Sequence, residues 1–195
     1  MPKRRFLRTK QFQCDPKDRA GVSLLESKRC SFGLTPRGRV YGVAGPLDDS
    51  NVDALLHLPS LIEVSLIGPH GNPNEDEFTD VGFKRLMTHP ELQIFGCAYR
   101  SSITDSSAEA IASSSRIRWI CLNGCQISNQ GVEHISKRTQ LLNLNLANTE
   151  ITVDCIPALC NLTNLRHLTI SGNGIDESVR AKLLENLPKC RDLKI

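Results

Sequence analysis

One arrangement of apolar residues recurs along this chain at a nearly constant interval, and it constrains the fold more than any other feature. The unit reads L-x-x-L-x-L-x-x-(N/C/T)-x-I. It begins at Leu92, with Phe95, Cys97 and Ile103 following. It returns at Ile117 with Ile120, Leu122, Cys125 and Ile127, and at Leu141 with Leu144, Leu146, Thr149 and Ile151. A further copy runs from Leu165 through Leu168, Ile170, Asn173 and Ile175. The first positions are 25, 24 and 24 residues apart, and another 25 leads to Cys190, Leu193 and Ile195.

Upstream, Leu61 with Val64 and Leu66 opens an earlier copy, 31 residues before Leu92. The excess is the insertion PHGNPNED, residues 69 to 76. Residues 40–60 read as a degraded copy, with Tyr41 and Val43 in a short strand, then Leu47, then Val52, Leu55 and Leu58 on a helix.

Each unit has a physical logic. Alternating apolar residues make a short strand with one face inward. The small polar group at the ninth position can satisfy backbone groups of the turn that follows and of its neighbour. The second half of the unit has helical spacing. Thr104-Asp105 precedes Ala108, Ile111 and Ala112; Ser128-Asn129 precedes Val132 and Ile135; Thr152-Val153-Asp154 precedes Ile156 and Leu159. Ser, Thr, Asp and Asn at these heads are helix N-caps. Only 5% of the chain is aromatic, so its core must be built from Leu, Ile and Val. The expected class is α/β: a horseshoe-shaped solenoid with a parallel concave sheet and helices on the convex side.

The runs ITDSSAEAI, ISNQGVEHI and ITVDCIPAL resemble the I-T-D-x-G-L-x-x-L half of the cysteine-containing leucine-rich repeats. These are known from substrate-receptor subunits of ubiquitin ligases and from many bacterial proteins. The resemblance covers roughly residues 40 to 195 and implies the solenoid fold, with no shared activity. The chain departs from the pattern at Ser107 and Cys155, where Gly is usual. No F-box-like helical region precedes the repeats, so the ubiquitin-ligase role is not carried over. The stretch RRFLRTKQF also resembles a basic segment that lies ahead of a membrane helix in some bacterial repeat proteins. Polar residues follow it here, so membrane anchoring is not carried over either.

The register assigns the side chains that face out of the concave sheet to positions 3, 5 and 7 of each unit. Position 3 gives Glu63, Ile94, Trp119, Asn143, His167 and Asp192; position 5 gives Ser65, Gly96, Cys121, Asn145, Thr169 and Lys194. Position 7 gives Ile67, Ala98, Asn123, Ala147 and Ser171. The only tryptophan thus stands near the middle of that face, with Tyr99 and Arg118 close in register. Trp, Tyr and Arg are the residues most enriched at energetic hot spots. Ile94, Trp119, Cys121, Asn143, Asn145 and His167, with Tyr99 and Arg118, are read as a partner-binding surface. The alternative is that Trp119 packs flat on the sheet and binds nothing.

Other chemistry finds little support. Cys121 and Cys125 suggest a metal pair, but the register points Cys121 outward and Cys125 into the buried turn. The eight cysteines contain no C-x-x-C and fit no zinc spacing or secreted disulfide framework, so free thiols in a reducing cytoplasm are expected. The five histidines include no H-x-x-x-H. Asn72, Asn74 and Asp76 alternate in the insertion but lack the Gly and distal Glu of a calcium loop, leaving a solvated acidic loop that can extend the binding surface at one rim. No metal, cofactor or catalytic constellation is expected.

Charge separates the two ends. Met1 to Arg39 holds 11 Lys/Arg against 3 Asp/Glu, whereas Val40 onward holds 13 against 18. The expected division is a basic N-terminal arm with a cap over residues 1–38 and a repeat domain over 39–195, with about five full repeats and a terminal strand. Residues 20–34 can form a short helix capping the first repeat. No apolar run approaches the roughly 18 residues of a membrane helix, and the start lacks the apolar core of a signal peptide. The favoured function is a non-catalytic protein-interaction module for an unidentified protein partner. The alternative is nucleic-acid or anionic-surface binding through Lys3, Arg4, Arg5, Arg8 and Lys10, with Phe6 and Phe12 between them. The uncapped C-terminal strand suggests a monomer or a weak homodimer pairing through that edge.

Overall fold

The computed structural model describes residues 6–8, 14–66 and 78–195, which hold one nine-stranded sheet whose strands follow chain order. The strands are β1 (Phe6–Arg8), β2 (Ser31–Leu34), β3 (Val40–Gly45), β4 (Glu63–Leu66), β5 (Ile94–Ala98), β6 (Trp119–Asn123), β7 (Asn143–Asn145), β8 (His167–Thr169) and β9 (Asp192–Lys194). From β3 to β9 every pairing is parallel. Parallel neighbours need a crossover, and helical segments supply it: α2 (Val52–Leu56), α3 (Asp80–Leu86), α4 (Asp105–Ser113), α5 (Asn129–Ser136), α6 (Ile156–Leu159) and α7 (Arg180–Asn186). The insertion at 69–76 and arm residues 1–5 and 9–13 lie outside the described residues.

The core lies between sheet and helices and follows the repeat. Positions 1, 4 and 6 stack as three buried rows, such as Leu92, Ile117, Leu141 and Leu165 in the first. Three buried rings meet at one place: Phe83 meets Phe95 edge-on at 4.8 Å, and Phe78 stacks on Phe95 at 6.0 Å. At the ninth position Asn173 donates from Nδ2 to the carbonyls of Leu146 and Ile170 at 2.8 and 2.7 Å. Its Oδ1 accepts the Thr149 N–H at 2.6 Å, so one amide closes its own turn and the preceding one. The residue before this position is left-handed in four successive units: Tyr99, Gly124, Asn148 and Gly172. Ala147, expected on the outward face, is instead buried.

The N-terminal region differs from the short helix expected over 20–34. Helix α1 (Arg19–Leu25) stops after seven residues, a 3-10 turn follows over Glu26–Lys28, and Arg29 turns left-handed at φ 53°. The chain then runs back as β2, antiparallel to β3, and β1 pairs antiparallel with β2. The first repeat is therefore covered by a helix on one layer and by added strands on the other. Asp18 pins this unit: its buried carboxylate accepts from the Arg39 guanidinium at 3.0 to 3.2 Å and from the Val40 N–H at 2.6 Å.

A clasp repeats along the helix heads. Asp49 accepts from Thr79 N–H and Oγ1 at 2.8 and 2.6 Å. Asp80 does the same for Thr104 at 2.9 and 2.6 Å, and Asp105 for Ser128 at 2.9 and 2.5 Å. Asn129 continues the series with one bond reversed: its Oδ1 accepts the Thr152 N–H at 2.9 Å and its Nδ2 donates to Thr152 Oγ1 at 2.8 Å. Each acceptor thus holds the N-cap of the next repeat, and each cap also accepts from its own helix. At the far edge, Arg180 donates to the Leu193 carbonyl of β9 at 3.1 Å while Glu177 holds the guanidinium. That occupies a backbone acceptor which strand addition would otherwise use.

Candidate functional site

Strand register brings the expected position-3 residues into one ladder. Glu63 pairs with Ile94, Ile94 with Trp119, Trp119 with Asn143, Asn143 with His167, and His167 with Asp192. The position-5 residues form a parallel row from Ser65 through Gly96, Cys121, Asn145 and Thr169 to Lys194. Both rows face away from the buried core because the residues between them, Phe95, Ile120, Leu144 and Leu168, point inward.

Trp119 is the largest side chain on this face and is 47% exposed. Gly96, diagonally adjacent, leaves open space: a Cβ there would touch nothing closer than Cys121 at 3.8 Å and Ser65 at 3.9 Å. Asn143, beside Trp119, has no side-chain hydrogen-bond partner among the described residues, so its amide offers both a donor and an acceptor. The other amides are engaged within the fold. Asn145 Oδ1 accepts the Ala147 N–H at 3.0 Å, and Asn123 Oδ1 accepts from Asn148 at 3.0 Å. Burial pushes the Cys121 thiol above its ordinary value.

The remaining candidates divide. His167 lies on the ladder with Nδ1 3.5 Å from the Asp192 carboxylate. Arg118 adjoins Trp119 in sequence but stands at the strand entry, its guanidinium 3.4 Å from Gln140 Oε1. Tyr99 is exposed but lies at the other end of the strands: its N–H donates to the carbonyl of Asn123, the last residue of β6. That is about 13 Å along the strand from Trp119. The Tyr99 ring covers Gly124, where a Cβ would collide with it, and φ of 67° suits glycine there. Sequence reasoning missed Tyr41. A register shift in the β2–β3 pairing frees it from the inward row, and its ring lies over Gly33. Gly33 pairs with Gly42, which pairs with Glu63, so Tyr41 joins the ladder face.

Cys125 meets Cys97, not Cys121: the two buried sulfurs are 3.6 Å apart. The hydrogen bond to Cys125, and then burial, hold the Cys97 thiol protonated above its ordinary range. Among the described residues no group of three or more His, Cys, Asp or Glu could hold a metal ion. His89 is buried with Nε2 against the Leu58 carbonyl and Nδ1 accepting the Glu91 N–H, which fixes a neutral structural tautomer. No helix among the described residues is long and apolar enough to cross a membrane.

No family model matches the chain, and no curated protein matches it. Solved structures do. The chain is 19% identical to TLR13 in the crystal structure of the TLR13-ssRNA13 complex, over 77% of its own length, with a TM-score of 0.51. It spans only 20% of the length of that chain. It is also 14% identical to a tropomodulin C-terminal domain from Caenorhabditis elegans, covering 57% of this chain and 76% of that one, with a TM-score of 0.45. At these identities the likeness to TLR13 establishes fold alone. Together with the observed register, it makes the chain a leucine-rich-repeat solenoid with a parallel sheet on one face and helices on the other.

Proposed function

We propose that the chain is a non-catalytic interaction module that takes a protein partner on its concave sheet. The centre of the surface is Ile94, Trp119, Cys121, Asn143, Asn145 and His167, with Arg118 and Tyr99 at opposite ends of the strands. The observation that carries this reading is Trp119, a large ring left nearly half exposed beside the unsatisfied amide of Asn143. A partner that covers the ring gains from its apolar area, and one that also hydrogen-bonds the amide avoids the cost of desolvating it. The test compares proteins captured by wild type, by Trp119→Ala and by a convex-face control, Val153→Ala. The reading expects partners lost only with Trp119→Ala. A folded Trp119→Ala chain that captures every wild-type partner overturns it.

A second reading rests on the 11 Lys/Arg against 3 Asp/Glu in the first 39 residues. There the arm binds nucleic acid or an anionic surface, with an affinity that falls steeply with salt. Replacing Lys3, Arg4, Arg5, Arg8 and Lys10 with Gln abolishes such binding and leaves concave-face capture intact. The T-D heads and the cysteine in the Ile117 turn support assignment to the cysteine-containing, bacterial-like type of repeat. Eight free thiols support a reducing, cytoplasmic setting.

A further inference from the structure

Where β6 to β9 begin, the rim of the sheet is basic, and one of its cations, Arg116, pairs at 3.5 Å with Glu91 at the entry to β5. Segments 113–118, 137–142, 161–166 and 186–191 lead into β6, β7, β8 and β9. They hold Arg116, Arg118, Lys137, Arg166, Lys189 and Arg191, together with the buried Arg138, and no Asp or Glu. From Val40 onward the chain has 13 Lys/Arg against 18 Asp/Glu, so this rim opposes the charge of the body that carries it.

Register turns three of these cations into a row. The Arg118 carbonyl accepts the Leu142 N–H at 2.8 Å, the Leu142 carbonyl accepts that of Arg166 at 2.7 Å, and the Arg166 carbonyl accepts that of Arg191 at 2.8 Å. At about 4.8 Å per strand, Arg118 to Arg191 spans roughly 14 Å. Two of the three guanidinium groups are uncommitted. Arg166 and Arg191 are exposed and have no side-chain hydrogen bond or ion pair among the described residues, and Arg118 reaches only the neutral Gln140. Arg138, by contrast, is occupied by structure: its Nε and Nη2 donate to the carbonyls of Ile117 and Ser115 at 3.3 and 2.5 Å. Its charge lies near enough to Arg118 for the two to repel, and an anion at the rim relieves that repulsion.

The row lies at the strand entries, one residue before the Trp119 ladder on each strand. An extended peptide crossing the strands presents alternate side chains to opposite sides, so acidic residues can meet the arginines while an apolar residue between them meets Trp119. A nucleic-acid strand fits less well, because its charge is uniform and the ladder is bounded by Glu63 and Asp192. We propose that the Arg118–Arg166–Arg191 rim binds an acidic peptide segment whose apolar anchor rests on Trp119, a proposal that builds on the concave-face reading.

The test is fluorescence anisotropy on the full chain with three labelled probes: the peptide ESELESES, its QSQLQSQS counterpart, and an eight-nucleotide single-stranded oligo-dT. The Glu peptide is expected to bind at least about tenfold more tightly than the Gln peptide, and to lose about tenfold in the Arg118→Ala/Arg166→Ala/Arg191→Ala variant. A triple Arg→Lys variant, which keeps the charge, stays within about threefold of wild type and guards against a folding defect. Replacing Lys3, Arg4, Arg5, Arg8 and Lys10 with Gln leaves Glu-peptide binding unchanged. Equal binding of the two peptides, undiminished binding by the triple Ala variant, or tighter binding of oligo-dT overturns the proposal. Glu-peptide binding that the arginine variant abolishes and Trp119→Ala leaves untouched overturns the apolar anchor and with it the proposal as stated, while the concave-face reading stands or falls on partner capture by Trp119→Ala. Trp119-dependent capture of a protein partner without Glu-peptide binding overturns the acidic-peptide proposal alone.

Discussion

Single residues in this chain take their meaning from the residue one repeat away. Gly131 is an example: a Cβ added there would collide with the Asp105 carboxylate of the preceding repeat. Gly131→Ala is expected to cost about 1–3 kcal/mol through that overlap. Gly96→Ala adds its methyl to open space and is expected to stay within about 0.5 kcal/mol of wild type. Urea midpoints check both, and equal losses at the two sites contradict the account. The same logic explains Ser107, which stands where the repeat pattern has glycine. Its hydroxyl donates to Asp80 at 2.5 Å, so the departure adds a bond at a position where Gly82 and Gly131 have no space for a Cβ. Sequence shows the departure but not the donor's target, because the target lies 27 residues back. The cysteines follow burial. Cys30 is pushed up to about 11 and Cys155 to about 12, chiefly by burial, so both stay protonated at pH 8. Alkylation of the native protein at pH 8 should therefore spare both until denaturant is added; rapid native labelling of either would contradict their placement.

At the scale of elements, the repeat pattern gave strands and helices from β3 onward because each carries a periodic apolar row. It was silent on β1, and the helix reading over 20–34 covered β2; the pairing of both strands depends on an edge that exists only once β3 has formed. The helix heads were legible as N-caps, but the clasp between successive heads was not, since one Asp serves the following repeat's cap. That clasp has a pH signature. Burial pushes the Asp80 carboxyl up, but hydrogen bonds from Ser107 and Thr104 outweigh it and hold the group below its ordinary range. A carboxyl whose folded value lies below its unfolded value of about 3.9 stabilises the fold fully above that pH, and the contribution is lost as pH falls through the folded value. Wild-type stability should therefore decline from about pH 4 downward, while Asp80→Asn, weaker at neutral pH, declines less over the same interval. At neutral pH, Asp80→Ala leaves the Thr104 and Ser107 donors without their acceptor and should cost about 1–3 kcal/mol. Equal pH slopes for wild type and Asp80→Asn would show that the clasp does not titrate as described.

The whole molecule is a stack polarised in three directions. Its helix layer is stitched by carboxylates, its sheet face carries one large exposed ring, and the rim where β6 to β9 begin is basic. The ladder from Ile94 through Trp119 to Asn143 could be read from sequence because a period of 24 to 25 residues fixes which side chains become neighbours. Sequence reads Tyr99 as close to Trp119, but it lies five residues beyond Ile94, Trp119's partner, and so at the far end of the strand. The arginine row was also hidden, since Arg118, Arg166 and Arg191 are isolated charges until stacking aligns them. The central claim, that the partner sits on the sheet face around Trp119, is tested most directly by covalent capture. A photo-crosslinking benzoylphenylalanine is placed at position 119 in one protein and at Val153, exposed on the helix side, in another. The account predicts a partner adduct from position 119 and none from position 153; an adduct from position 153 with none from 119 would contradict it.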